Sequence, residues 1–333
     1  MSKLTVVTGA SGHLGVNLVR SLLAQGRRVR ALIHDSRIGL DGLDVECVPG
    51  NVLDPASLSS AFQGADVVFH LAAIISIQGD MGGLVPKVNV EGARNVAEAA
   101  HACGVRRLVH TSSIHAFDQY CARQGPLSEA SARSQGPGPI PPAYDRSKAA
   151  GEVAVREVVA RGLDAVVVHP AGVLGPFDFR PSRMGQVLLD LYHRRLPALV
   201  PGGYNFVDVR DVVDGMLAAE ARGRTGESYL LSNEWAEVRT IGKLAQEVTG
   251  VAPPGLVVPF WLAHVGVPFL TAWARLTNTH PLYTHESLDV LASDSRADLT
   301  KSRTELGYAP RPLADTIRDT YAWFREAGML RSA

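Results

Sequence analysis

Tyr144 and Lys148 stand four residues apart in AYDRSKAAGE, a spacing that puts both on one face of a helix. A free phenol loses its proton only near pH ~10, too high for easy exchange at neutrality. A neighbouring ammonium favours the phenolate, so the pair reads as a general acid or base with its tuner. Such pairs are also common on solvated helices, so this one needs partners. VHTSSIHAF supplies hydroxyls, with Thr111, Ser112 and Ser113 following an apolar, strand-like run. Open α/β sheets bind ligands at the carboxyl ends of their strands, and a serine there can donate to a substrate carbonyl. The bland reading is a run of turn or helix-cap hydroxyls. Asn89 in VNVEGARNV falls within a predicted helix, where asparagine is a poor helix former. It is a candidate to hold a water in a proton relay, or else a surface amide. His115, two residues past Ser113, reads as structural before it reads as pocket-lining.

A second chemistry-bearing segment is TVVTGASGHLG, with Gly9, Gly12 and Gly15 between a strand and a helix. Gly9 allows a tight turn, Gly12 a close backbone approach to a diphosphate, and Gly15 close helix–strand packing. The helix start then offers free N–H groups to the negative charge. Ser11, His13 and Leu14 complete the turn and join the expected cofactor contacts. The spacing is G-x-x-G-x-x-G rather than G-x-G-x-x-G, so context has to carry the motif. About 20 residues on, an acidic side chain would hold the ribose of NAD, while a cation would meet the extra phosphate of NADP. Asp35 stands at that distance, but His34 and Arg37 flank it, and the cations favour NADP over NAD. All three also suit a solvated loop.

Positioning these groups requires alternating elements. LTVVTG, RVRALI, DVECV, DVVFHLA and RRLVHTSS read as strands, several apolar on consecutive residues, as strands covered on both faces are. HLGVNLVRSLLAQG, PASLSSAFQG and VEGARNVAEAAHACG read as helices ending at glycine, and a long helix runs from about Tyr144 to Arg161. The alternation predicts an α/β fold, a Rossmann-type doubly wound parallel sheet with helices on both sides. Beyond Pro170 the pattern loosens, with FVDVRDVVDGMLAAE a strand end and helix, SYLLS a strand, and VRTIGKLAQEVTG and LADTIRDTYAWFREAG helices. The expected division is a dinucleotide-binding domain over 1–170 and 206–231, and a smaller, C-terminal substrate-binding domain over 171–205 and 232–333. Gln124 to Pro142 is proline-rich and too long for a tight connection, so a lid or mobile loop is expected. Val248 to Ala274 carries no formal charge, but its prolines, Gly266 and His264 point to a buried helix pair or pocket wall before membrane contact.

The 333 residues are 46% hydrophobic and 20% charged, with 33 basic and 33 acidic side chains, which excludes a disordered or fibrous chain. Zero net charge gives no reason to expect a nucleic-acid partner. Cys47, Cys103 and Cys121 are too few and too scattered for a disulfide framework or a metal site, so a cytoplasmic setting is expected. The MSKLTVVTGA start has no signal-peptide character.

These motifs together resemble an extended short-chain dehydrogenase/reductase. TGASGHLG, GNVLD, DVVFHLAA, NVEGARNV, TSS, YDRSK, HPAGVLGP and FVDVRDVV follow that family's order over most of residues 1 to 215, and the tail also matches. The resemblance implies Ser113, Tyr144 and Lys148 as a catalytic triad supported by Asn89. It also implies cofactor contacts from Asn51, Val52, Ala72, Ala73, Thr111 and Pro170 beside the glycine turn, Tyr144 and Lys148. Where the family has arginine before a proline, this chain has His169. YNFVDVRDVVDGM and THPLYTHESL place it nearest the dihydroflavonol-reductase-like and hydroxysteroid-dehydrogenase-like branch. The implied chemistry is hydride transfer between a nicotinamide cofactor and the carbonyl or alcohol of a mainly apolar small molecule. A nucleotide-sugar epimerase with tightly held NAD is the alternative, and a non-catalytic dinucleotide sensor a third reading. Homodimers are common in the family.

Overall fold

The computed structural model describes residues 3–77, 79–119, 125–136, 141–276 and 283–330. Seven strands form one all-parallel sheet in the order β3-β2-β1-β4-β5-β6-β9. They are β1 (Leu4–Thr8), β2 (Arg28–Ile33), β3 (Glu46–Pro49), β4 (Ala65–His70), β5 (Arg107–Thr111), β6 (Ala165–Pro170) and β9 (Ser228–Leu231). Every residue of β1 is buried, as its unbroken apolar character predicts for a central strand covered on both faces. The order reverses beside β1, which has β2 on one side and β4 on the other, and a ligand crevice opens at such a switch point.

The helices in chain order are α1 (His13–Ala24), α2 (Pro55–Phe62), the single turn α3 (Leu84–Pro86), α4 (Gly92–Ala102), α5 (Ala143–Val159), α6 (Arg183–Tyr192) and α7 (Val209–Arg222). Then come α8 (Val238–Thr249), α9 (Phe260–Leu276), α10 (His285–Ala292), α11 (Thr300–Leu306) and α12 (Leu313–Glu326). One sheet face packs α1 and α7 through Val16, Val19, Val212 and Met216. The other packs α2, α4 and α5 through Leu58, Phe62, Val96, Ala100 and Val155. Three short strands, β7 (Gly172–Leu174), β8 (Gly203–Asp208) and β10 (Glu234–Glu237), make a second sheet in the order β10-β8-β7. Its core joins α6, α8 and α12 through Leu188, Ile241, Tyr321 and Phe324. Phe206 to Asp208 thus lie in the small sheet, while α11 returns to pack Leu306 in the core beneath the large one.

Three local expectations change. The helix expected around Asn89 is interrupted: a π-helical turn, Lys87–Glu91, precedes α4. Helix α5 crosses so closely there that a Cβ on Gly151 would stand 2.5 Å from the Asn89 carbonyl oxygen. Of the proline-rich stretch, Gln124 and 137–140 lie outside the described residues, whereas 125–136 is anchored. Leu127 pairs its backbone with Arg296 and Asp298 at 2.7 and 2.8 Å, and Glu129 accepts from the Leu230 amide at 2.8 Å. The apolar stretch is not a buried helix pair. Val267 packs against Val200 and Leu288, but Trp261 and Phe269 are 68% and 74% exposed, with Leu262 and Val265 beside them. Among the described residues no helix is long and apolar enough to cross a membrane.

Candidate active site

The carboxyl end of β5 brings the hydroxyl run against the start of α5. Ser113 is buried and extended, and its Oγ accepts from the His115 amide at 3.2 Å. It neighbours the Tyr144 phenol, whose proton affinity it lowers. One turn further along α5, Lys148 Nζ donates to the Thr111 carbonyl at 2.8 Å. The three groups therefore gather at the end of β5, each less than a tenth exposed. Their electrostatics depart from the expectation that the ammonium lowers the phenol pKa. Burial pushes Tyr144 up to about 12; Ser113 works against it and Asp145 adds to it. Burial pulls Lys148 down to about 8, with Glu152 opposing. At neutral pH the phenol thus holds its proton and the ammonium remains charged.

Asn89 sits in the π turn with its amide engaged by protein. Nδ2 donates to the Ile74 carbonyl and Ser147 Oγ, both at 2.9 Å, and Oδ1 accepts from the Ile74 amide at 2.8 Å. It is a strut between the segment after β4 and α5. His115 stands against the triad. Its imidazole lies 3.1 Å from Asp145 Oδ1 and 2.9 Å from the Tyr204 hydroxyl, and its ring meets Tyr144 edge-on at 5.5 Å. His115 is thereby tied to α5 and to β8.

Beneath the triad lies a buried charge cluster that sequence reasoning missed. Glu152 accepts from Ser112 Oγ at 2.7 Å and Arg133 Nε at 2.9 Å, and approaches His169 Nε2 at 2.5 Å. Burial alone would raise this carboxyl, but His169, Arg133 and Ser112 hold it well below the usual carboxylate range. The Arg133 guanidinium lies 4.0 Å over the Phe117 ring, which itself contacts His169. The available signal was periodic: Tyr144, Lys148 and Glu152 follow at intervals of four.

The glycine turn lies beside the ends of β1 and β4. Gly9 has φ +69°, and a Cβ there would stand 2.7 Å from the Ala72 amide nitrogen. A Cβ on Gly15 would stand 2.2 Å from the Gly9 carbonyl oxygen, so the turn closes onto α1 only without one. Gly12 differs: with φ −77° and only the Gly9 oxygen near, at 3.4 Å, nothing in the protein demands glycine. A ligand lying against the turn would, and α1 has no side-chain cap competing for its first amides. Thr111 Oγ1, at the end of β5, is buried with no partner among the described residues. Both observations fit a dinucleotide.

Other expected contacts are distributed unevenly. Thr8 Oγ1 accepts from the Leu71 and Ala72 amides at 3.2 and 3.3 Å, holding Ala72 and Ala73 near Gly9. Asn51 folds onto its own loop through Leu53, and Val52 packs buried with its carbonyl bound by Asn95. Ser11 and Leu14 are half-buried in the turn. The His13 side chain turns away to the Pro176 carbonyl at 3.0 Å. Pro170 is buried opposite Leu231. His34 and Arg37 are exposed just past β2, whose Leu32 pairs with Thr8, and Arg37 meets Asp41 at 3.1 Å.

Comparison with known proteins shows the family. Residues 5–232 match the model of the NAD dependent epimerase/dehydratase family. The chain belongs to that family. Within this NAD-dependent epimerase/dehydratase family, it is 41% identical to sterol demethylase protein B of Methylococcus capsulatus, over 98% of this chain and 99% of that one. It is 33% identical to a putative dihydroflavonol 4-reductase of Synechocystis, over 98% and 96%. The crystal structure of gox2253 superposes with a TM-score of 0.83 at 31% identity, covering 99% of this chain and all of that one. The family member described here thus falls in the extended short-chain branch that the ordered motifs resemble, and its reductase-named relatives support an oxidoreductase.

Proposed function

We propose that the protein is an NAD(P)-dependent reductase or dehydrogenase acting on a carbonyl or alcohol of a mainly apolar small molecule. The observation that carries this reading is the burial of Ser113 and Tyr144 together at the end of β5, where Lys148, one helical turn further along α5, binds the Thr111 carbonyl. A nicotinamide ring bound beside them supplies or accepts the hydride. In reduction, Ser113 donates to the substrate oxygen, and Tyr144, protonated at neutral pH, gives that oxygen its proton. Lys148 steadies the resulting phenolate and bonds the cofactor, while Asn89 holds α5 in register with the segment after β4. In oxidation the same groups act in reverse.

Residues 1–170 and 206–231 take the cofactor role, and 171–205 and 232–333 the substrate role. The exposed apolar side chains of α9 support an apolar substrate, as does the likeness to a sterol demethylase protein. Arg37 supports NADP: its ion pair with Asp41 is exposed and cheap to exchange for a phosphate. NADPH is therefore expected to raise the melting temperature more than NADH, a difference that Arg37→Glu abolishes. If NADH protects as well as NADPH, the preference is wrong.

The function itself is tested by following nicotinamide absorbance with sterol and other apolar ketones and alcohols. Net oxidation or reduction of the cofactor is expected. Conversion of a nucleotide sugar with no net absorbance change would instead support epimerisation.

A further inference from the structure

We propose that Glu152 is a positioning residue of the site: it clamps the strand end that carries Ser113 and keeps the Lys148 ammonium charged, so that cofactor is held into the alkaline range. The inference rests on the proposed reading of Lys148 as a cofactor-binding cation.

The argument begins with the position of the carboxylate. Glu152 lies one turn beyond Lys148 on the face of α5 turned to the sheet, and its side chain is 2% exposed. Its partners come from three other parts of the chain: Ser112 after β5, His169 on β6 and Arg133 from the anchored segment 125–136. Ser112 stands between Thr111, which binds Lys148, and Ser113, which neighbours Tyr144. Holding Ser112 by its hydroxyl therefore sets the distance from the strand end to both functional residues of α5.

The second half is electrostatic. Among the described residues, the titratable groups that act on Lys148 or feel its charge are His70 on β4, His110 on β5 and Glu152 on its own helix, with Tyr144 one turn away along α5. Burial lowers the pKa of both imidazoles, with Lys148 adding to it, so neither offers negative or positive charge at neutral pH. Tyr144 keeps its proton. Glu152 is the facing anion, and it raises the proton affinity that burial lowers. His169, just before Pro170, meets one carboxylate oxygen, and Arg133 brings a fixed cation to the other.

Glu152→Gln keeps the shape and removes the charge, whereas Glu152→Asp keeps the charge and shortens the reach. Two readouts across the neutral and alkaline range test the idea. One is NADPH binding followed by fluorescence; the other, without cofactor, is the pH dependence of Lys148 reductive methylation read by mass spectrometry. In Glu152→Gln both midpoints are expected to move to lower pH, by on the order of one pH unit. In Glu152→Asp the midpoints stay while affinity falls. If the single variant does not fold, Glu152→Gln with His169→Gln removes the buried partner as well and is read the same way. A methylation midpoint unchanged in the Gln variant overturns the role of Glu152. Absence of NADPH and NADH binding to the wild-type protein overturns instead the reading on which the role rests.

Discussion

Tyr144→Phe is expected to lower kcat/KM by about 10²- to 10⁴-fold, the range for removing a general acid. The phenol is the group with the proton to give, since burial holds it protonated far above neutrality. The neighbouring contacts survive the change. Ser113 keeps its contact with the His115 amide, and Lys148 keeps the Thr111 carbonyl. The fold loses one hydroxyl contact, a cost of about 1 kcal/mol. Cofactor affinity should therefore stay close to wild type while turnover collapses. Steady-state kinetics beside a fluorescence titration separates the two. Turnover within a few-fold of wild type would remove Tyr144 from the chemistry.

The second large effect concerns the glycine turn, where two glycines are required for different reasons. Gly12→Ala meets no protein atom closer than 3.4 Å and needs no unusual backbone. It should leave stability unchanged or raise it by about 0.4–1 kcal/mol. Yet its methyl fills the space that a diphosphate must occupy, so cofactor affinity is expected to fall by at least about tenfold, or 1.4 kcal/mol. Gly15→Ala forces a methyl to 2.2 Å from the Gly9 carbonyl oxygen. That pushes the turn from α1 and is expected to cost about 1–3 kcal/mol of stability, with cofactor binding falling too. Melting temperatures with and without NADPH distinguish the cases. Gly12→Ala binding cofactor at wild-type strength would mean that no ligand backbone lies against the turn.

Much of this site was legible because its chemistry lies in contiguous motifs with simple periods. The glycine turn, the hydroxyls ending β5 and the Tyr–Lys pair each fit within a dozen residues, and the alternation of elements assigns all three to the same end of a parallel sheet. Glu152 shows where that legibility stops. An acid one helical turn from a lysine reads as an ordinary surface pair; its burial depends on Arg133 and His169, which only the tertiary fold brings together. His115 likewise acquires Asp145 and Tyr204 through packing. The tuning of Tyr144 escapes the sequence for a related reason, since helical spacing suggests a nearby ammonium but says nothing of the desolvation that raises the phenol. Strands β7 and β10, of three and four residues, are too short for an alternation pattern. In α9 an apolar run suggests burial, yet Trp261 and Phe269 face outward.

The central claim, hydride transfer beside a phenol that supplies the proton, is tested most directly with reduced cofactor deuterated at its transferable position. Wild-type protein and an apolar ketone should release an alcohol carrying one deuterium on the former carbonyl carbon, and Tyr144→Phe should form it far more slowly. Alcohol formed without the label, or label that never leaves the cofactor while a sugar is epimerised, would contradict the account.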